Sequence, residues 1–398
     1  MSLPPLTPDQ SVKPPRFELR LSLLYAAIFL PMGIHLPYFP LWLEYVGFGA
    51  REIGIVLAAP MFLRVVTTLL ITASADRARD RANVLLVLSV STLVLSFGYF
   101  LPPGYLLILG VSLALAVVWT PHAPIADSLA LSGVRRFGSD YSRMRIWGST
   151  AFLVANFGGG FLLSFTGIGA VPLLISAGMA TVVAASLVVP RLGRPRKASP
   201  LSAAELQQGA PSLLRPAFLY FVGGCGLVVA SHGFLYAFSS IYWQSLGISG
   251  GVIGLLWSWS VVAEVGMFAI FTRLFGRTPA WRLVALAGLA AFVRWVAFPM
   301  IWPAGLGIAG FFAVQTLHAL STGLILIGLQ KMIAETVPED RTGAAQGIAF
   351  FANGVSMAVV TLGSGQLYAA LGVNGFYVMA VIALAAVGLV LRGSRLAP

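Results

Sequence analysis

A chain of 398 residues that is 58% hydrophobic and only 10% charged cannot clothe a soluble fold, since a water-facing surface needs about a quarter of all residues charged. The formal charge of +12 does not point to nucleic acid, because most Lys and Arg fall in short segments between apolar runs, as in loops beside a membrane. The single cysteine, Cys225, excludes an internal disulfide and argues against a thiolate metal centre, so neither a metal nor another cofactor is expected.

Residues 1–16 are Pro-rich and polar, carry no cleavable signal pattern, and read as a disordered tail. Twelve apolar runs follow, at 18–43, 52–74, 83–101, 104–127, 144–166, 169–189, 216–241, 250–274, 282–302, 304–328, 342–367 and 372–391. A helical span needs about 20 apolar residues, and several of these runs are too long for strands and lack two-residue alternation. The expected fold is an all-α membrane protein with twelve transmembrane helices in two pseudo-symmetric six-helix halves. The boundaries are a half at 17–190, a linker at 191–215 that opens on the basic run from Arg191 to Lys197, a half at 216–392, and a tail at 393–398. Arg and Lys gather in the tail, the even-numbered loops and the linker, whereas the other side has only Arg51, which places both termini in the cytoplasm.

The stretch from Phe39 to Gly54 resembles that from Ser239 to Gly254 without a gap, pairing Gly47 with Gly247, Ile53 with Ile253 and Gly54 with Gly254. Parallel six-span halves leave such weak self-similarity. The same register sets Arg64 over Glu264, each about 20 Å along its helix from Arg77 or Arg277 at about 1.5 Å per residue. A cation and an anion at equivalent depths are expected to face a central cavity from opposite sides.

Ionisable groups inside spans are functional candidates by default, the alternative being ion pairs that tie helices together. They are Arg64, Asp127, Arg145, Glu264 and Arg294, with His35, His122, His232 and His318. Asp127 sits near the end of the fourth run and Arg145 near the start of the fifth, with Arg135, Arg136, Asp140 and Arg143 in the polar turn between them. The two can pair or hold a polar ligand. Trp147 and Trp257 each share a span with such a charge and are the aromatic candidates for the pocket. If all three arginines reach the cavity, they outnumber Asp127 and Glu264, which favours an anion or a neutral compound taken up with a proton. Asp76 and Arg77, after the second span, are placed to act as a gate, and the loop Arg273–Arg282 is its counterpart after the eighth. There is no H-E-x-x-H, phosphate loop or Gly-x-Ser-x-Gly, so neither an enzyme nor a nucleotide-driven pump is expected.

These residues carry a resemblance. From about Arg20 to Arg392 the chain resembles the major facilitator superfamily, with Asp76, Arg77 and Arg81 similar to its loop motif and Pro338–Gly347 similar to the matching loop before the eleventh span. It is more closely similar to the phenylpropionate permease branch. The likeness rests on Pro124–Ser128, Asp140–Ser149, Phe238–Gln244, Leu256–Glu264, Val293–Trp295 and Leu317–Leu320. A distant resemblance to the lactose permeases implies that Asp127 and Arg145 bind substrate and that Glu264, Arg294 and His318 couple protons. Where those relatives carry a proton on a glutamate this chain has Ser321, which makes Glu264 the better carrier.

The reading is a monomeric secondary transporter in the bacterial cytoplasmic membrane, importing a small aromatic carboxylate such as 3-phenylpropionate with protons by alternating access. Its substrate-binding residues are Arg64, Asp127, Arg145, Trp147, Trp257 and Glu264, with Arg64 on the carboxylate. A nucleoside or sugar proton symporter is the alternative within transport, and a non-transporting membrane receptor or scaffold the alternative outside it. The partners are the substrate, protons and the lipid bilayer, with no nucleic acid.

Overall fold

Uninterrupted apolar stretches in a chain this poor in charge must satisfy their backbone polar groups internally, and helices do so within one segment. The computed structural model describes residues 12–193, 215–337 and 342–396, and almost all of them are helical. The first seven helices are α1 (Phe17–Tyr45), α2 (Ala50–Arg77), α3 (Arg81–Ser96), α4 (Tyr105–Trp119), α5 (His122–Phe137), α6 (Tyr141–Thr166) and α7 (Val171–Val188). Eight more follow: α8 (Pro216–Ala230), α9 (Gly233–Ser245), α10 (Gly250–Phe275), α11 (Ala280–Ala297), α12 (Gly307–Thr316), α13 (Leu324–Thr336), α14 (Thr342–Leu371) and α15 (Phe376–Leu396).

Among the described residues, eleven stretches are long and apolar enough to cross a membrane, and the last, Ala345–Leu396, has 52 residues. At about 1.5 Å per residue that is more than twice the hydrocarbon thickness. A turn at Gly372–Gly375 breaks it into α14 and α15, both of which pack on α8. Among the described residues the count is therefore twelve.

Three spans are two helices in line, which periodicity did not reveal. The fourth pauses at Thr120–Pro121 between α4 and α5, and the seventh at Ser231–His232 between α8 and α9. The tenth passes from α12 through a π-helical turn, Ala319–Gly323, into α13. The sequence boundaries at 127 and 328 were therefore too early. Helix α5 runs on to Phe137 and carries Arg135 and Arg136, so Asp127 lies within a helix rather than near its end, and the polar turn shrinks to Gly138–Asp140. Gly138 ends α5 with φ +65°, its N–H donating to the Val134 carbonyl, and the Asp140 side chain caps α6 by accepting from the Arg143 N–H.

The internal repeat recurs in the backbone. Gly47 and Gly247 both adopt positive φ, +96° and +78°, a conformation that favours glycine. The Gly47 and Phe48 N–H groups donate to Glu44 and Leu43 at 2.9 and 3.0 Å, while those of Gly247 and Ile248 donate to Gln244 and Trp243 at 2.9 and 3.1 Å. Ile53 and Ile253 then start the next helix by donating to Gly49 and Ser249, at 3.0 Å in each case.

The chain divides into two compact units, Met1–Trp42 with Leu63–Gly209, and Leu43–Phe62 with Ala210–Pro398. The first half of α2 thus groups with the second unit, where Gly54 meets Gly365 of α14 so closely that a Cβ on Gly54 would lie 2.9 Å from the Gly365 Cα.

In the first unit, Phe17, Leu21, Leu24 and Tyr25 of α1 pack with Leu85 of α3, Ile125 and Leu129 of α5 and Val182 of α7. Polar side chains brace one end of it. Asp80 caps α3 through the Ala82 N–H and also accepts from the Gly193 N–H at 2.9 Å; Glu18 accepts from Ser139, and Arg136 donates to the Leu192 carbonyl. In the second unit Lys331 of α13 donates to the Thr278 and Gly276 carbonyls, in the segment between α10 and α11.

Candidate functional site

In the first unit, Asp127 of α5 is half-buried, and its Oδ1 accepts two phenol hydrogens, from Tyr25 of α1 at 2.7 Å and from Tyr141 of α6 at 2.9 Å. Arg145, one turn beyond Tyr141, lays its guanidinium over the Phe29 ring at 4.1 Å and the Tyr25 ring at 5.5 Å. No ion pair joins Asp127 to Arg145 among the described residues. Tyr25 links them instead, its hydroxyl on the carboxylate and its face towards the cation. Of the two arrangements expected, direct pairing or a joint hold on a polar ligand, the first is not formed here; two phenols hold Asp127, and Tyr25 and Tyr141 are members that charge counting missed. Tyr25→Phe keeps the ring but removes one donor to a carboxylate, so about 1.5–3 kcal/mol of stability should be lost. Thermal melts of purified single and double Tyr25→Phe and Tyr141→Phe variants check this, the double variant being expected to lose more than the sum of the singles.

Arg64 lies on α2, half-buried in an apolar helix, and makes no hydrogen bond, ion pair or ring contact among the described residues. Trp147 is 53% exposed on α6. The Asp76 side chain lies outside what is described. Arg77 ends α2 and is exposed. His35 and His122 have structural work. His35 stacks on Phe39 at 4.3 Å, while His122 bonds the Trp119 carbonyl at 2.7 Å and reaches Ser89, which meets Ser186, so that α3, α5 and α7 are tied together.

The second unit gathers Glu264, Arg294 and His318 into one cluster. Arg294 of α11 is fully buried, yet it touches no carboxylate among the described residues. One of its terminal nitrogens donates to His318 Nδ1 at 3.0 Å and approaches Ser321 Oγ at 3.5 Å; the other donates to Gln315 Oε1. Gln315 is held by its own amide, which donates to the Leu256 carbonyl at 3.1 Å. A guanidinium can only donate, so His318 Nδ1 must be the acceptor and the ring proton of neutral His318 sits on Nε2. That nitrogen faces Glu264 Oε2 at 3.6 Å. The imidazole thus separates the cation from the carboxylate while touching both. Gln315, one turn before His318, was absent from the sequence candidates, though a glutamine inside G-F-F-A-V-Q-T is a visible signal.

Trp257 is buried, donates to Ser240 Oγ at 2.9 Å and stacks on Tyr236 at 5.9 Å. It packs beside the cluster and presents little surface to a ligand. The π-helical turn sets His318, Ser321 and Thr322 on one side of the tenth span, and such turns occur often at functional sites.

The comparisons with known proteins place this fold in a family. The MFS_1 like family model matches residues 18–379. The chain belongs to the MFS_1 like family. Among curated relatives of this family member, the probable 3-phenylpropionic acid transporter of Escherichia coli (strain K12) is 29% identical over 366 residues, 92% of this chain and 95% of that one. The maltose permease of Geobacillus stearothermophilus is 26% identical over 288 residues, 70% and 71% of the two chains. Among solved structures, the nucleoside transporter NupG aligns with a TM-score of 0.76 over 96% of this chain and 99% of that one at 16% identity, which shows the fold. The chain is a multi-pass membrane transporter of the major facilitator fold, and its relatives are transporters rather than enzymes.

Proposed function

We propose that this family member is a monomeric, proton-coupled importer of a small aromatic carboxylate of the 3-phenylpropionate kind, working in the cytoplasmic membrane with both termini in the cytoplasm. The observation that carries the reading is Arg64, a cation on an apolar span with no partner among the described residues. A charge in that position is costly without an anion, and a substrate carboxylate supplies one. The relative named as a 3-phenylpropionic acid transporter, matched along almost its whole length, supports the same substrate class. Asp127, Arg145 and Trp147 are the further candidates in the first unit. Glu264, with His318 and Arg294 beside it, is the candidate proton carrier. Asp76 and Arg77 remain the gating candidates.

The test is uptake of labelled 3-phenylpropionate by cells expressing the protein, with and without a protonophore, read as the increment over an empty vector. Charge-assisted hydrogen bonds contribute about 1.5–3 kcal/mol, so Arg64→Gln should lower uptake at limiting substrate about ten- to a hundred-fold. Arg64→Lys should retain part of it. Uridine and maltose run in parallel; transport of either, with none of the acid, overturns the anion reading of Arg64 and leaves the transporter class intact.

A further inference from the structure

Two consecutive hydroxyls in the π-helical turn, Ser321 and Thr322, reach beyond Arg294 to His232, which the transport reading leaves without a role. His232 is 3% exposed at the break between α8 and α9. Its Nδ1 lies 2.9 Å from the Val228 carbonyl, which can only accept, so the Nδ1 carries the ring proton and Nε2 is left with a lone pair. That lone pair faces both hydroxyls: Ser321 Oγ at 3.0 Å and Thr322 Oγ1 at 3.5 Å. Thr322 Oγ1 also lies 3.3 Å from His318 Nδ1, the atom that accepts from Arg294. A single hydroxyl thus bridges the inward-facing nitrogens of two imidazoles.

We propose that His232 is a second proton-binding group and that Thr322 carries its proton to His318, with Arg294 as the gate. The proposal rests on the proton-coupled reading of Glu264. In the step, His232 protonated at Nε2 gives that proton to Thr322 Oγ1, and the Thr322 hydroxyl hydrogen passes to His318 Nδ1. The His318 Nε2–H bond then breaks and its proton goes to the Glu264 carboxylate. One proton leaves His232 and one arrives on Glu264, while Thr322 ends as it began. Because His318 Nδ1 can take either the Arg294 N–H or a proton, the path is closed while Arg294 holds its observed position and open once the guanidinium withdraws. The charged and titratable groups around His232 are Arg294 on α11, His318 on the tenth span, Glu264 on α10 beyond it, and Tyr236 on its own helix. Withdrawal of Arg294 frees His318 Nδ1 and so opens the path.

Thr322→Val keeps the shape and removes the hydroxyl, whereas Thr322→Ser keeps the hydroxyl. In proteoliposomes, Thr322→Val and His232→Asn should lose proton-driven accumulation about tenfold while substrate exchange stays within about twofold of wild type. Thr322→Ser should accumulate like wild type. Wild-type levels in Thr322→Val and His232→Asn overturn the path, as does parallel loss of exchange and accumulation, which marks the hydroxyl as structural. Accumulation by wild type that ignores a protonophore overturns the proton-coupled reading itself, a different result. A readout that needs no substrate is ¹⁵N NMR of histidine-labelled full-length protein in nanodiscs, assigned with His232→Asn and His318→Asn. The path requires His232 as the Nδ1–H tautomer and His318 as the Nε2–H tautomer at neutral pH, and the reverse pattern overturns it.

Discussion

Glu264→Gln is expected to abolish concentrative uptake while leaving exchange of substrate across the membrane largely intact. The amide has nearly the shape of the carboxylate and can still accept from His318 Nε2, 3.6 Å from the Glu264 oxygen, so the cluster should keep its arrangement. What the amide cannot do is bind and release a proton. Exchange needs only the loaded carrier to cross and return, whereas accumulation needs the proton to leave on the inner side. Coupling free energies between sites run at about 1–3 kcal/mol, so loss of the coupling should lower the accumulation ratio about tenfold or more. The exchange rate of the variant should also be flat with pH where that of the wild type is not. The measurement is the steady-state ratio of labelled substrate in proteoliposomes under an imposed pH gradient, beside counterflow in the same vesicles. Unchanged accumulation would remove Glu264 from the coupling. Arg294→Gln is the informative partner experiment. It frees His318 Nδ1 and leaves Glu264 as the one charge in the cluster, so it should also uncouple uptake.

Reading the residues in order reached the span count, the ungapped repeat and the principal charges, because all three depend on local features. Hydrophobic length marks a crossing whatever its neighbours do. The turn that follows the first span is set by Gly47, and its copy by Gly247, both of which favour a backbone few other residues accept. Glu264, Arg294 and His318 stood out because a charge or imidazole in hydrocarbon has few reasons to be there. The helix breaks were not legible, since Thr120–Pro121, Ser231–His232 and the turn at Ala319–Gly323 all sit within continuous apolar runs. Those breaks set the geometry around the histidines: the π-helical turn brings Ser321 and Thr322 to His232 and Thr322 to His318, and the break at Ser231–His232 leaves the Val228 carbonyl beside the His232 ring. Neutral members of the clusters were missed for a related reason. Tyr25 and Tyr141 look like ordinary interfacial aromatics in a sequence, and only the packing of α1, α5 and α6 brings both hydroxyls to one oxygen of Asp127. Spacing left open whether Asp127 and Arg145 pair or hold a polar ligand, and it cannot see that the Tyr25 ring touches both.

The largest loss of stability should come from Gly365→Val on α14. Without aqueous solvent between them, helices in a bilayer associate by close packing, and small residues let their backbones approach. Here the approach is backbone to backbone. A Cβ on Gly365 would lie 2.5 Å from the Ala50 carbonyl oxygen and 3.1 Å from the Arg51 Cα, and the facing Gly54 has no more room. Neither obstacle is the end of a flexible side chain, so α14 and the start of α2 must separate. Overpacking of this kind costs about 1–3 kcal/mol, and valine, branched at Cβ, should sit at the upper end with alanine below it. Gly363, two residues earlier on the same helix, meets nothing within 4 Å. Gly363→Ala should therefore be neutral or slightly stabilising, since alanine is favoured over glycine in a helix interior by about 1 kcal/mol. Thermal unfolding of the purified variants in one detergent orders them as Gly363→Ala at or above wild type, then Gly365→Ala, then Gly365→Val. If Gly365→Val melts with Gly363→Ala, the close approach of α2 and α14 contributes nothing to stability. The grouping of Leu43–Phe62 with the second unit would then need another source than this contact.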